Sequence, residues 1–298
     1  MRVRLLLLLA FCLAACGDDG RRIVRDVATD SPAETSTDAQ QPLVDAAPAD
    51  VAPPDIGEAP AVIWAHSGRE LFNFNPTTRQ ATSVGIFDSP EDPLTPGDDG
   101  QIFFSMTDLA VRSDGAVFGL GRGAIWRIDT TDARCTRAVR DVRGNALTFV
   151  PAGVVSPQEE LIVGYENDDE GALLAIVNIP GQRVENLASF GGDCRPSGDI
   201  ASITGLGTFV TLECDRDTAQ DFLARLNVTD ASIDIIGPTG VVDIWGLGFW
   251  AGNFFGFTAG GELVSIDADT GEATLIDDET GAADGFWGAG VTPDAPLI

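Results

Sequence analysis

The chain has 298 residues, with 46 aspartates and glutamates against 18 lysines and arginines, so its formal net charge at pH 7 is −28. Such an acidic surface repels nucleic acid and anionic lipid headgroups, which excludes both as electrostatic partners. The single histidine, His66, excludes most zinc sites and most histidine-dependent nucleophilic mechanisms. We therefore predict no cofactor, no metal site and no catalytic residue from the composition.

Residues 1–15 have the features of a cleaved export signal. Two arginines precede an apolar run that is too short to span a bilayer comfortably. The signal ends in Leu13-Ala14-Ala15-Cys16, a quartet that resembles the lipobox of bacterial lipoproteins. The resemblance implies that Cys16 becomes the first residue, with a diacylglycerol on its sulfur and an acyl chain on its amine. Several acyl chains together hold a protein stably on a membrane. The alternative is an ordinary signal peptide with a coincidental cysteine.

The residue after the cysteine is Gly17 rather than an aspartate. In lipoproteins of Gram-negative bacteria, an aspartate at this position often signals retention in the inner membrane. The resemblance therefore implies a lipid-anchored protein of the outer membrane, with the choice between the periplasmic and the surface leaflet left open.

Residues 16–60 read as a disordered acidic linker. The stretch after Cys16 contains ten carboxylates, three arginines and no aromatic residue. Such a composition cannot bury enough apolar surface to order itself. Like charges and prolines keep the linker extended, with a reach on the order of 35–40 Å.

The composition changes at residue 61, and a pattern then repeats through to residue 298. Each copy has two apolar positions followed by Asp or Asn, a short polar turn and a second alternating segment. The Asp or Asn residues of the copies are Asn75, Asp129, Asn227 and Asp267, with a divergent copy at Asn178. Alternating segments around such a turn predict β-hairpins in which the Asx side chain binds the turn backbone.

A further pair of short strands precedes each hairpin. These pairs begin at Asp108, Asn145, Asp199 and Asp243, which are 37, 54 and 44 residues apart in that order. Four strands in about 40 to 50 residues are typical of β-propeller blades. We therefore predict an all-β fold.

The two ends of the domain predict how the ring closes. The domain begins without a first strand, whereas residues 286–292 resemble the first strand at residues 244–249. If the C-terminal strand completes the N-terminal blade, the ring has five blades of four antiparallel strands and no free edge. Six blades follow if residues 145–198 contain an extra sheet, and a β-sandwich or an open solenoid is the competing architecture.

Taken together, residues 61–298 resemble the secreted β-propeller repeat proteins, in which a blade ends with a segment like "l-y-x-i-D-x-x-T-G-x-x-t". Residues 263–274 match this segment best. The resemblance implies architecture and not activity, because propellers carry out unrelated tasks.

The domain contains three cysteines, and export favours their oxidation. Cys194 lies just before a first strand and Cys214 ends a second strand, two positions on the same face of a propeller. We predict a Cys194–Cys214 disulfide, with Cys135 free or buried.

Asp108, Asn145, Asp199 and Asp243 form a candidate polar ring around the central channel. Three roles remain open: hydrogen bonds to neighbouring blades, a cation such as Ca²⁺ on the carboxylates, or the acid and base of a glycosidase. Recurrence at equivalent positions favours the structural role, because catalytic carboxylates need different environments.

Two further predictions concern His66 and the aromatic residues. His66 ends an apolar strand and is expected at the surface or in a turn. The Trp and Phe residues are expected to fill blade interfaces, with an exposed subset available to stack on a sugar ring.

These observations predict a membrane-anchored binding or scaffolding module without enzymatic activity, which recognises a protein or glycan through one propeller face. The first alternative is a carbohydrate-active hydrolase or lyase that uses carboxylates near the central channel. A calcium-stabilised structural module is the second.

Overall fold

The computed structural model describes residues 63–91, 105–167, 171–190 and 192–298. The predicted export signal, Cys16 and the linker to residue 60 lie outside these residues. The described part of the chain consists of twenty β-strands without a helix, so it contains no apolar helix of membrane-spanning length.

The twenty strands form five antiparallel sheets of four strands each. Blade 1 contains β1 (Ile63–His66), β2 (Glu70–Asn75), β3 (Gln80–Ile86) and the last strand, β20 (Gly288–Gly290). Blade 2 contains β4 (Asp108–Val111), β5 (Val117–Gly121), β6 (Ala124–Ile128) and β7 (Cys135–Arg140). Blade 3 contains β8 (Ala146–Val150), β9 (Glu160–Asn167), β10 (Gly171–Asn178) and β11 (Arg183–Ser189). Blade 4 contains β12 (Cys194–Ile203), β13 (Gly207–Cys214), β14 (Asp217–Asn227) and β15 (Ser232–Pro238). Blade 5 contains β16 (Ile244–Trp250), β17 (Asn253–Thr258), β18 (Leu263–Ile266) and β19 (Ala273–Asp277).

The inner strands β20, β4, β8, β12 and β16 contact one another around the axis. The C-terminal strand β20 pairs with β1 and completes blade 1, with Trp64 opposite Gly290 and His66 opposite Gly288. The molecule is therefore a five-bladed β-propeller closed by its C-terminal strand, as predicted. Within residues 145–198, the described strands belong to blade 3 and the start of blade 4, which leaves no sixth sheet there.

The repeated Asp or Asn residue shapes the turn between the third and fourth strands of every blade. Asn75 Oδ1 accepts the backbone N–H groups of Thr77 and Thr78 at 2.9 and 3.1 Å. Asp267 Oδ1 accepts those of Asp269 and Thr270 at 3.0 and 2.8 Å. The same turn bond is made by Asp129, Asn178 and Asn227. The predicted Asx turns are thus confirmed in all five blades.

Each blade also carries an irregularity between its third and fourth strands. The register shifts at Leu71/Phe72, Ile125/Trp126, Leu174/Ala175, Leu223/Ala224 and Leu263/Val264. A bulge bends and twists the outer strand, which makes it a poor template for pairing with another chain. Pairing with the C-terminal strand removes the free inner edge of blade 1, and the bulges make the five outer strands poor partners for a strand of another chain.

Aromatic side chains fill the interface between blades 5 and 1. Phe74 packs edge-on against Phe255 and Phe257, with ring centroids 5.4 and 5.3 Å apart. Phe286 reaches Phe257 at 5.2 Å. Full burial of such a side chain contributes about 1.5–3 kcal/mol, so the interface between blades 5 and 1 contributes strongly to the stability of the ring.

The disulfide between Cys194 and Cys214 is formed, as predicted. The two cysteines face each other across β12 and β13 and are 20 residues apart in the sequence. A closed loop of this length stabilises the fold by about 3 kcal/mol in the chain-entropy model. Cys135 is free and buried, and burial raises the pKa of its thiol to about 12, so the thiol is unreactive at neutral pH.

Candidate functional site

The axis of the propeller is lined by one residue from each inner strand. These five residues are Gly288, Asp108, Ala146, Asp199 and Gly246. Their equivalence follows from the hydrogen bonds, because Asp108 binds the N–H of the residue after Ala146, and Asp199 binds those of the residues after Gly246 and Gly288. Three of the five have no side chain beyond a methyl group, which leaves room on the axis for two carboxyl groups.

Both carboxyl groups bind backbone amides of their own and neighbouring blades. Asp108 accepts the N–H of Leu109 at 2.8 Å and that of Leu147 in blade 3. Asp199 accepts the N–H of Ile200 at 2.6 Å. It also accepts the amides of Leu247 in blade 5 and Ala289 in blade 1, at 2.9 and 3.3 Å. The two side chains thereby tie blade 2 to blade 3, and blade 4 to blades 5 and 1.

The side chains of Asp108 and Asp199 hydrogen-bond to each other. Both are fully buried. Burial raises the pKa of Asp108 well above its usual range, and the negative charge of Asp199 raises it further. Burial also raises the pKa of Asp199, although its bonds from Leu247 N–H and Asp108 oppose this. The pair therefore keeps a proton at a pH at which a free aspartate has lost its own.

The other two members of the predicted ring lie elsewhere. Asn145 and Asp243 are both exposed, so a ring of four polar residues is not formed. Asn145 directly precedes the axial residue Ala146. Asp243 precedes β16 and lies three residues before the axial residue Gly246.

The surroundings of the carboxyl pair favour the structural role over ion binding or hydrolysis. Its oxygens face amide N–H donors, which stabilise negative charge and compete with a cation for the same lone pairs. Both side chains have no exposed surface, so no substrate reaches them. No group of three metal-ligating side chains occurs in the described ranges.

A third buried carboxylate, Asp221, was not anticipated from the sequence. Its Oδ2 accepts the amide of Ile244 at 2.8 Å and the hydroxyl of Ser197 at 3.0 Å. Burial raises its pKa to about 6. Asp221 thus ties β14 to the start of β16. Its position next to the apolar run Phe222-Leu223-Ala224 is the signal that could have indicated burial.

The prediction that His66 is a surface or turn residue is wrong, because its side chain has no exposed surface. Its Nδ1 lies 2.7 Å from the carbonyl oxygen of Ser67, which makes Nδ1 the protonated nitrogen. Nε2 is buried without a hydrogen-bond partner. The side chain is buried because β1 is not an edge strand. It is the second strand of its blade and pairs with the inner strand β20.

His66 predicts a loss of stability in mild acid. Burial lowers its pKa from 6.5 to about 4. The unfolded chain therefore binds this proton more readily, and stability falls as the pH drops from about 6.5 toward about 4. Urea unfolding at about pH 7.5 and about pH 5 should show a loss of about 2 kcal/mol that His66→Leu abolishes. An equal loss in both proteins would contradict the assignment.

Two tryptophans lie at the face on which the inner strands begin, which we call the start face. Trp287 directly precedes Gly288 and is 38% exposed, and the half-buried Trp245 directly precedes Gly246. The two rings are perpendicular, with centroids 6.3 Å apart. The start face therefore presents an aromatic pair next to the closed axis.

No protein-family model and no curated protein matches this chain. Among solved structures, it is similar to a protein of unknown function from Bacteroides caccae, with 11% identity over 74% of this chain and 73% of that one and a TM-score of 0.40. It is also similar to TolB from Acinetobacter baumannii, with 11% identity, 77% and 65% coverage and a TM-score of 0.45. A protein described in work on the de novo evolutionary emergence of a symmetrical protein has 14% identity, 79% and 99% coverage and a TM-score of 0.44. The five-bladed fold itself is established by the strand pairing described above.

Proposed function

We propose that this chain is a lipid-anchored extracytoplasmic protein whose propeller binds a ligand without transforming it. The observation that carries the second part is the closed axis, where the carboxyl pair is fully buried and bound to backbone amides. A glycosidase needs two carboxyl groups that reach a substrate, and this pair reaches none. The start face, with its exposed aromatic side chain, is the recognition surface of the proposal.

The anchor part of the proposal rests on the quartet that ends at Cys16. The proposed location is the outer membrane of a Gram-negative bacterium, because Gly17 is not the aspartate that signals inner-membrane retention. In this proposal the acidic linker connects the anchor to the propeller.

The anchor is tested by mass spectrometry and membrane fractionation of the full chain and of Cys16→Ala. We expect acyl mass and membrane residence for the parent and neither for the variant. Cys135→Ala is the matched control, since it removes a thiol from the propeller and should leave the acyl mass in place. If parent and Cys16→Ala are equally soluble and unmodified, the anchor proposal fails.

The binding part is tested by screening the full protein for hydrolysis or elimination on furanosides and other glycosides, in parallel with a glycan array. We expect binding to a ligand without turnover. Turnover that Asp108→Asn or Asp199→Asn abolishes would overturn the proposal in favour of a carbohydrate-active enzyme.

A further inference from the structure

Trp287, at 38%, is the one exposed Phe or Trp side chain in the described part of the chain. Exposure of so large an apolar side chain costs stability that a purely structural role would avoid, because the other tryptophans of the domain are more deeply buried. An isolated exposed Trp next to polar groups is the kind of surface that a ligand covers.

The indole of Trp287 is held rigidly by its surroundings. Gly68 lies against the ring, so that a Cβ atom at this glycine would be only 3.2 Å from two indole carbons. Trp245 contacts the ring edge to face. The backbone N–H of Trp287 donates to the carbonyl of His66 at 2.8 Å. A ring fixed in this way loses little conformational entropy when a ligand stacks on it.

An exposed ion pair joins the two chain segments that hold this indole, with Asp284 three residues before Trp287. Arg69 follows Gly68 in the chain, and its Nε contacts Asp284 Oδ2 at 2.9 Å. The two side chains are 42% and 51% exposed, so the pair offers both hydrogen-bond donors and acceptors to a ligand. An apolar face flanked by a charged donor and a charged acceptor complements a sugar ring, which has C–H faces and hydroxyl edges.

We propose that Trp287, Arg69 and Asp284 form a binding site for an uncharged or basic sugar, with the sugar ring stacked on the indole. This inference rests on the proposed function and specifies its ligand class. The net charge of −28 disfavours uronic acids and other anionic sugars.

A protein partner fits the same surface less well. Protein interfaces have a core in which several apolar side chains are buried together. Of the other exposed large apolar residues, Val184 and Leu275 lie on the outer strands of blades 3 and 5, and Ile86 ends the outer strand of blade 1 opposite Glu70. Among the described exposed apolar residues, Val242 and Ile86 also lie at this end of their blades, but in two different blades. A single fixed indole with an adjacent ion pair suits a small amphipathic ring.

The test uses the full mature protein in detergent micelles and an array of neutral, amino and uronic oligosaccharides. We expect binding to neutral or amino sugars. By titration calorimetry with the best oligosaccharide, Trp287→Ala should weaken binding by about tenfold or more. Arg69→Gln should weaken it less, because it removes one charged donor and keeps the stacking surface. Leu275→Ala, an exposed site on an outer strand, is the matched control and should bind as the parent does.

The outcomes separate this inference from the proposed function. Sugar binding that Trp287→Ala leaves unchanged, with unfolding temperatures equal to the parent, would overturn the site and leave the binding module standing. A preference for uronic acids, or an array without any binding, would also overturn the sugar site. Turnover of the bound sugar would overturn the proposed function instead, while a raised KM in Trp287→Ala would retain the site.

Discussion

Asp199→Asn is expected to lower the free energy of unfolding by about 3–5 kcal/mol, the usual cost of removing one partner from a buried charged network. Asp199 accepts amides from Ile200, Leu247 and Ala289. An asparagine replaces one accepting oxygen with an NH2 group. This group then faces a backbone N–H, and two donors cannot form a hydrogen bond. Urea unfolding of parent and variant at one pH measures the difference.

Asp108→Asn is the matched variant, and we expect a smaller loss of about 1–3 kcal/mol. The new NH2 group of the variant can donate a hydrogen bond to Asp199, while one backbone amide that Asp108 accepted is left without a partner. A stability of Asp199→Asn equal to that of the parent would contradict the role of the pair as a tie between blades.

The same pair predicts a pH dependence with the opposite sign to that of His66. The folded-state pKa of Asp108 lies above its unfolded value, so its contribution is complete below about pH 4 and is lost as the pH rises through the raised pKa. Asp108→Asn cannot titrate, and its stability should vary less with pH on this alkaline side.

Gly288→Ala should destabilise the ring by about 3 kcal/mol or more, or prevent folding, because overpacking at a rigid position costs at least 1–3 kcal/mol. The new methyl group would lie 2.6 Å from His66 Nε2 and 3.0 Å from Asp108 Cα, and closer still to Asp108 Oδ1. These atoms belong to β1 and β4, which cannot move apart without opening the joint between blades 1 and 2.

Gly164→Ala is the control for a general effect of alanine in place of glycine in a strand. Its nearest neighbour would be the methyl group of Ala146 at 3.2 Å, so we expect a much smaller loss. Thermal unfolding followed by circular dichroism compares the two variants. Equal losses of stability in the two variants would show that close packing around Gly288 does not determine the stability of the ring.

The repeats in the sequence were sufficient to predict the architecture. Asn75, Asp129 and Asp267 recur with the same turn chemistry, and that chemistry depends only on neighbours in the chain. The match between residues 286–292 and 244–249 likewise predicted the closing strand. The disulfide follows from the blade positions, because a residue just before a first strand and a residue at the end of a second strand lie on the same face of a propeller.

The axial site was only half predictable. Asp108 and Asp199 are buried and bind amides of neighbouring blades, whereas Asp243 is exposed and precedes β16. His66 looked like the end of a strand, and its burial depends on β20, which lies more than 200 residues later in the chain. Asp221 was missed because its partners, Ser197 and Ile244, lie in other strands.

The pairing of β20 with β1 has a consequence for biogenesis. Blade 1 lacks its innermost strand until synthesis has passed Gly290, so β1 keeps an unsatisfied edge throughout translation. A chain that cannot close early stays open long enough to be threaded across a membrane, which suits the proposed secretion. The unpaired edge of β1 also makes the unfinished chain prone to aggregation. We therefore expect chaperones that bind this unfolded intermediate to raise the yield of the mature protein.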